Sequence, residues 1–449
     1  MRFMIFGMVF FAMQTMAWAG ELKASLPQAI AWAVEHNPST EESNAHIRKA
    51  AALLSQVRGT RGISGDFVGL ISPVPRAKGQ PNTPNPGFSS AKLNGITDWE
   101  TGKLKLILPI FTFGKIKAYE EAAMAGIEVA SARKDQAEFG VADLVSQAYQ
   151  GYLLAVTGKR FANSINKIVD KAMRQVQEKV NRDDDDANPQ DLLKLKLAQG
   201  LVLKQVYEAE QGEIFARSAL NILTGRAMIP QEKSLKRLKL PKWTLSQWVT
   251  VARSGRPEFR EAIHGVNAMQ KLVRVKEAEY FPDIFLIGVL SAAHSSGRDR
   301  IIDPFIQDDF NHFYGTVGVG MKWTFDLGGI HHAKVDQAKA DLAVVRAKQK
   351  YAEMMIPLQV EADYQQLVAK RKQIIALTRS SKAGRQWLFS AASSYDFGVG
   401  EAKEVMDALA AYALVEGERL STVHAYNLQA VNLLHHVGHL QLQELKGEK

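Results

Sequence analysis

The 449 residues contain no cysteine. This excludes disulfides, thiolate metal sites and a lipidated N-terminal cysteine, so any membrane attachment has to be made by the fold itself. Long apolar runs are also missing once the first residues are passed. None approaches the roughly 20 apolar residues that span a bilayer as a helix, which argues against residence in an inner membrane. Proline is absent between Pro109 and Pro189, leaving room for one very long helix. The formal net charge of +9 comes without a dense basic patch, since Lys and Arg are spread along the chain. That distribution speaks against a nucleic-acid partner.

At the N-terminus, Arg2 precedes an apolar run from Phe3 to Met13, and Met16-Ala17-Trp18-Ala19 has the small-x-small pattern of a signal peptidase site. Residues 1–19 are therefore expected to be a signal peptide, with the mature chain starting at Gly20 and exported.

The remainder repeats itself at an offset of about 215 residues. Asn37-Pro38 is echoed by Arg256-Pro257-Glu258. Pro109-Ile110-Phe111-Thr112-Phe113-Gly114 is echoed by Trp323-Thr324-Phe325-Asp326-Leu327-Gly328, and Val145 with Tyr149 by Val360 with Tyr364. The near-constant offset predicts a first repeat over 20–225, a linker over 226–244 and a second repeat over 245–449.

In the first repeat the pattern is helical from Leu26 to about Arg61, with a break at Asn37-Pro38. Phe67 to Ile71 then reads as a strand. The following stretch, with Pro73, Pro75, Pro81, Pro84 and Pro86, is expected to be a long exposed loop, from which a second strand returns over about Trp99–Ile110. The second repeat predicts a helix from about Pro257 to Ala278, a strand over Ile284–Leu290 and a polar loop at Ser295–Arg298. In its return strand Phe313, Val317, Val319, Met321, Trp323 and Phe325 fall on one face, and Tyr314, Thr316, Gly318, Gly320 and Lys322 on the other. Such alternation, with aromatics at both ends, is that of a lipid-facing barrel strand.

Each strand pair runs into a long helix. Apolar residues recur at spacings of three and four through Val141, Val145, Ala148 and Tyr152, then Phe161, Ile165, Ile168, Ala172, Val176 and Val180. A helix from Lys115 to about Val180 would be about 100 Å long. The return limb is expected over about Pro189–Leu223, with Leu192 to Leu197 compatible with a strand but the continuing length favouring helix. In the second repeat the long helix runs from about Ile330 to Ser394 and returns from Glu401 to about Leu445, with a bend or interruption expected at Pro357.

Four membrane strands cannot close a barrel, because the smallest need about eight and an open edge leaves backbone groups unsatisfied in lipid. The chain is therefore expected to oligomerise. The ordered set of signal peptide, helix with Asn-Pro, strand pair, Phe-x-x-Gly, long helix, turn and return helix, twice over, resembles the TolC-type outer-membrane efflux proteins. The segment Tyr395-Asp396-Phe397-Gly398-Val399-Gly400-Glu401-Ala402-Lys403-Glu404-Val405-Met406-Asp407-Ala408 is similar to the family's Tyr-x-x-Gly tip and the Val-Leu-Asp-Ala-like stretch after it, and Tyr426-Asn427-Leu428 to its late Tyr-Asn motif. The resemblance implies a mixed α/β, mostly α, homotrimer with a 12-stranded outer-membrane β-barrel continued by a periplasmic α-helical tunnel of coiled-coil helices. It implies an exit duct of a tripartite efflux or type I secretion system, with outer-membrane lipid, a periplasmic adaptor and an inner-membrane pump as partners, and neither catalysis nor a cofactor. Two departures stand out: Ser394 occupies the place of the usual Arg before the tip tyrosine, and Asp183 to Asp186 replace the first-half tip.

Glu404 and Asp407 lie three residues apart on one helical face. By resemblance they line the periplasmic constriction, where three chains would form a ring of six acids; the alternative is a solvated helix face. Tyr395, Gly398, Val399 and Gly400 are the implied tip and adaptor contacts, Tyr395 as a hydrogen-bonding partner of a neighbouring helix or as ordinary packing, and Gly398 as the turn residue. His435, His436 and His439 lack the interposed Glu of a zinc-protease motif and read as the end of a last helix, where cationic His is favourable. The four aspartates at 183–186 read as a solvated turn, with a divalent ion or a basic adaptor surface as alternatives. The competing functions are a soluble periplasmic coiled-coil scaffold or adaptor, and an exported metalloenzyme resting on the histidines.

Overall fold

A computed structural model describes residues 21–80, 92–182, 189–397 and 399–438. The order is β1 (Leu22–Ala24), α1 (Leu26–His36), α2 (Pro38–Gly59), β2 (Ser64–Lys78), β3 (Lys92–Phe111), α3 (Lys115–Asn181) and α4 (Pro189–Thr224). It continues with β4 (Met228–Pro230), α5 (Leu245–Gly255), α6 (Pro257–Ala278), β5 (Asp283–His294), β6 (His312–Lys322), α7 (Ile330–Asp396) and α8 (Ala402–His436). The two series run parallel in length: α1 and α5 have 11 residues each, α2 and α6 have 22, and α3 and α7 have 67.

The same local chemistry sets the same boundaries in both series. Ser25 N–H donates to Gln28 Oε1 at 2.9 Å before α1, and Thr244 N–H to Gln247 Oε1 at 2.8 Å before α5. Each is half of a capping box. Asn37 and Arg256, each preceding a proline, are extended, as the clash with the proline ring demands, and Pro38 and Pro257 then start the next helix, where a missing N–H costs nothing. Leu192 to Leu197 are helical, within α4. Pro357 lies inside α7, which continues from Ile330 to Asp396, so of the bend or interruption expected there the interruption does not occur.

The chain divides into two compact units. One comprises residues 45–131 and 260–351, the other the segments before, between and after them. In the first, β2, β3, β5 and β6 form an antiparallel sheet in that order, so β2 and β6 are its edges. β2 is longer than its sequence suggests. Pro73 and Pro75 belong to it and not to the expected loop, opposite Asp98 and Ile96. They are two apart on an edge strand, so both absent N–H groups fall on the side away from β3, where no ladder bond is lost. Pro81, Pro84 and Pro86 lie outside the described residues. β6 ends at Lys322, so Trp323 and Phe325 lie just past it, and the Trp323 indole N–H donates to the Tyr280 carbonyl at 3.1 Å.

The register sorts the sheet into two faces. One carries Phe67 and Ile71 of β2, Leu104, Leu106 and Leu108 of β3, Leu286 and Leu290 of β5, and Phe313, Val317, Val319 and Met321 of β6. Phe67, Val317 and Val319 are each more than 70% exposed. The other face is mixed: Asp66, Thr101, Lys103, Lys105, Asp283, Ser291, Thr316 and Lys322 stand on it among Val68, Leu70, Ile107, Phe285, Ile287 and Val289.

In the second unit, β1 and β4 pair in parallel beside a core that includes Val145, Tyr149, Leu220, Met228, Trp248, Val360 and Val431. Burial pushes the Tyr149 hydroxyl well above the ordinary tyrosine range, helped by its hydrogen bond to the Glu232 carboxylate, and the hydroxyl donates to the Ala24 carbonyl at 2.9 Å. Asn427, fully buried, donates to Gln150 Oε1 at 2.9 Å and to the Lys236 carbonyl at 2.8 Å, and accepts from Leu238 N–H at 2.9 Å. It thereby fixes the linker between the two series to α8.

The end of α8 abuts the α5–α6 junction backbone to backbone. A Cβ on Gly255 would stand 2.6 Å from the Val437 carbonyl oxygen, and Gly438 has φ +74°. His435 is buried there against Phe139, and burial, then the charge of His436, pushes it down to about 4. His435 is therefore neutral, not the cationic helix terminus read from sequence. His436 Nδ1 lies 2.5 Å from Asp363 Oδ2. No group of three metal-ligating side chains occurs among the described residues, and His439 lies outside them. Because His435 titrates near 6.5 unfolded and near 4 folded, the unfolded chain takes up the proton first, and stability is complete above about pH 6.5 and lost as pH falls toward 4. The melting temperature should fall across that window, and a His435→Leu variant should flatten the slope; an unaltered slope would contradict burial of a neutral imidazole.

Candidate functional site

Four helices meet around a second apolar cluster: Ile165, Val169 and Val176 of α3, Leu195 of α4, Leu388 and Ala391 of α7, and Val405, Ala408 and Leu409 of α8. These are the three-and-four spacings legible in α3, with Phe161, Ala172 and Val180 at the margin of the cluster. The α7–α8 turn closes over one end of this cluster, and the implied tip residues fall there.

Ser394 is the pivot of the turn. Its carbonyl accepts from the N–H groups of both Val399 and Gly400, each at 3.0 Å, so two chain-end donors are satisfied by one acceptor. Gly400 is required by space: a Cβ there would lie 2.9 Å from Ser394 Cβ and 2.9 Å from the Tyr395 nitrogen. Val399 and Phe397 project freely, each 83% exposed. Gly398 and Asp183 to Asp186 lie outside the described residues.

Tyr395 is half-buried against the cluster, and Lys179 of α3 stands over its ring at 4.7 Å from the centroid. Burial raises its hydroxyl above the ordinary range, and the charges of Asp191 and Asp396 add to that. Its hydroxyl makes no hydrogen bond among the described residues, so within one chain its role is packing and cation–π contact. The next residue is the stronger tether. Asp396 accepts from Gln175 Nε2 at 2.9 Å and from Lys171 Nζ at 3.0 Å, both on α3, and these hydrogen bonds hold its carboxyl below the usual carboxylate range. The sequence contained Asp396 in the tip motif but gave no sign of partners more than 200 residues earlier.

Glu404 and Asp407 are both exposed, on the side of α8 away from Val405, Ala408 and Leu409. Their side chains make no hydrogen bond or ion pair among the described residues. Further along α8, Glu416 accepts from Ser381 Oγ and from the Arg419 guanidinium at 2.6 to 2.7 Å. Burial pulls the Glu416 carboxyl up, and the Arg419 and Ser381 hydrogen bonds outweigh it, so it titrates below its ordinary range. This α7–α8 clasp had no signal in the sequence beyond an i, i+3 charge pair. The arrangement is a tethered turn with two free carboxylates beside it.

Residues 248–438 match the outer membrane efflux protein family. The comparison with curated proteins finds no match. Among solved structures, the chain is similar to CusC, at TM-score 0.75 and 17% identity over 95% of this chain and 96% of that chain. It is similar to the CmeC outer membrane channel of Campylobacter jejuni, at TM-score 0.74 and 16% identity over 94% and 90%. It is also similar to the outer membrane protein VceC of Vibrio cholerae, at TM-score 0.72 and 16% identity over 92% and 96%. At these identities the likeness establishes the fold. Replacing Gly400 by Ala should loosen the turn and raise hydrogen exchange at the amides of residues 399 and 400, while Asp396→Asn should give a smaller rise; unchanged exchange in Gly400→Ala would contradict the crowding described.

Proposed function

We propose, for a chain whose residues 248–438 belong to the outer membrane efflux protein family and whose fold throughout is that of outer-membrane channels, an exit duct across the outer membrane. The observation that carries the proposal is the sheet: apolar and exposed on one face, bearing Asp66, Lys103, Lys105, Asp283 and Lys322 on the other, with two open edges. An apolar face of this extent fits lipid, and a face that bears charges fits water in a lumen. Open edges are intolerable in a bilayer, so copies must pair β2 of one with β6 of the next. Three copies give 12 strands, and the paired long helices of each copy would continue the barrel as a periplasmic tunnel.

In this reading the protein is a passive homotrimeric conduit, not an enzyme, built from one duplicated unit of strand pair, long helix and return helix. It serves a tripartite efflux or type I secretion system, meeting a periplasmic adaptor through Tyr395, Gly398, Val399 and Gly400 and, through the adaptor, an inner-membrane pump. A soluble scaffold would leave the face around Val317 and Val319 exposed to water, which disfavours that alternative.

Glu404 and Asp407 are the candidate constriction. They have no partner among the described residues, and a threefold assembly would gather six such carboxylates, which favours cations and binds multivalent ones. Reconstituted in planar bilayers, the protein should conduct, and micromolar multivalent cations on the helical side should block it. The double variant Glu404→Gln, Asp407→Asn should relieve that block by at least about tenfold, since several close charges are lost at once. Conductance with unaltered block would remove the ring, and no conductance would remove the duct.

A further inference from the structure

The strand-bearing unit holds a cavity of about 630 Å³ on the charge-bearing side of the sheet, between the end of α2 and the start of α3. Its walls are mostly apolar, with Val57, Ile107, Ile116 and Phe285 among them. Its charges are not balanced. Lys105, Lys115 and Lys322 line it together with one carboxylate, Asp283. That carboxylate is engaged by the Lys115 ammonium. Lys322 faces Asp283 across the β5–β6 ladder but forms no ion pair with it, and Asp66, opposite Lys105 in register, forms none with Lys105. The cavity therefore carries two ammonium groups with no partner among the described residues.

The backbone adds to the imbalance. α3 begins at this cavity with Lys115 and Ile116 on its wall, and its first turn contains no acidic residue. The positive end of the helix dipole is thus left uncompensated beside the two lysines. Lys103, exposed on the same face of β3, extends the positive strip by one more residue.

We infer that this cavity is a transit site for amphiphilic organic anions, molecules with an apolar body and one or two negative charges. The apolar wall would take the body, and Lys105 and Lys322, which stand opposite Val289 and Asp283 of β5 and so six ladder positions apart, would each take one charge by a charge-assisted contact in a half-desolvated setting. The inference rests on the duct reading and narrows its cargo. It gives the barrel an anion preference, set apart in residues and in sign from the acidic pair Glu404 and Asp407.

The test uses the full protein in a planar bilayer with naphthalene-2-sulfonate as the anionic probe and a naphthyl quaternary ammonium of the same size as its cationic counterpart. The sulfonate should produce concentration-dependent current blockades that the ammonium probe does not. In Lys105→Gln, Lys322→Gln the half-blocking concentration of the sulfonate should rise by about fivefold or more, in line with the loss of two partly exposed charge contacts. Lys105→Arg, Lys322→Arg should retain the wild-type value, and the two probes are compared in the Glu404→Gln, Asp407→Asn background, so that block at the acidic pair does not enter. Sulfonate block equal in wild type and the Gln variant, or equal block by both probes, would overturn the inference while the conductance itself upheld the duct. A protein that never conducts would overturn both.

Discussion

The constraint on which the rest depends is the pair of unpaired edges on a sheet with one lipid-compatible face. A strand edge buried in hydrocarbon leaves a row of donors and acceptors with no partner, at a cost of several kcal/mol for each group. β2 and β6 are the edges of this sheet, and among the described residues it has no further strand to cover them. Everything else about the protein accommodates that deficit. The prolines at 73 and 75 confine edge pairing on β2 to the stretch before them, and β6 is a short strand of 11 residues. In the proposed duct, a second copy would supply what the first lacks, and closure would set the number of copies.

The helical unit answers a different requirement. Helices of 67 residues gain little from local propensity and depend on packing along their length. Two apolar clusters supply that packing, with Asn427 fixing the linker to α8 near one cluster and Asp396 binding α7 to α3 near the other. The α7–α8 turn is held by one carbonyl, one exposed ion pair from Lys171 to Asp396 and one hydrogen bond from Gln175 to Asp396, so it is among the more weakly secured parts of that unit. Weak, exposed ion pairs are worth little individually and can be exchanged for intermolecular ones at low cost.

Much of this was legible in the sequence, and for physical reasons. Strand faces follow from period-two alternation, so Val317, Val319 and Met321 could be placed without coordinates. Long-helix limits follow from the absence of proline and from spacings of three and four, and Lys115–Asn181 matches the expected Lys115 to about Val180. The failures are as physical. Pro73 and Pro75 were read as loop because nothing in a single strand reveals that it will lie at an edge. Pro357 predicts a bend or an interruption, and α7 continues through it without interruption. His435 was read as a cation because its burial against Phe139 is a tertiary fact. The partners of Asp396 and Asn427, separated from them by some 200 residues or more, have no local signature at all.

The central claim is that one chain is an incomplete barrel completed by identical copies. The most direct measurement is the mass and symmetry of the detergent-extracted mature protein, by native mass spectrometry together with single-particle electron microscopy. The account predicts three copies, threefold symmetry and a strand barrel continued by helices about 100 Å long. A monodisperse single chain, soluble without detergent, would contradict it.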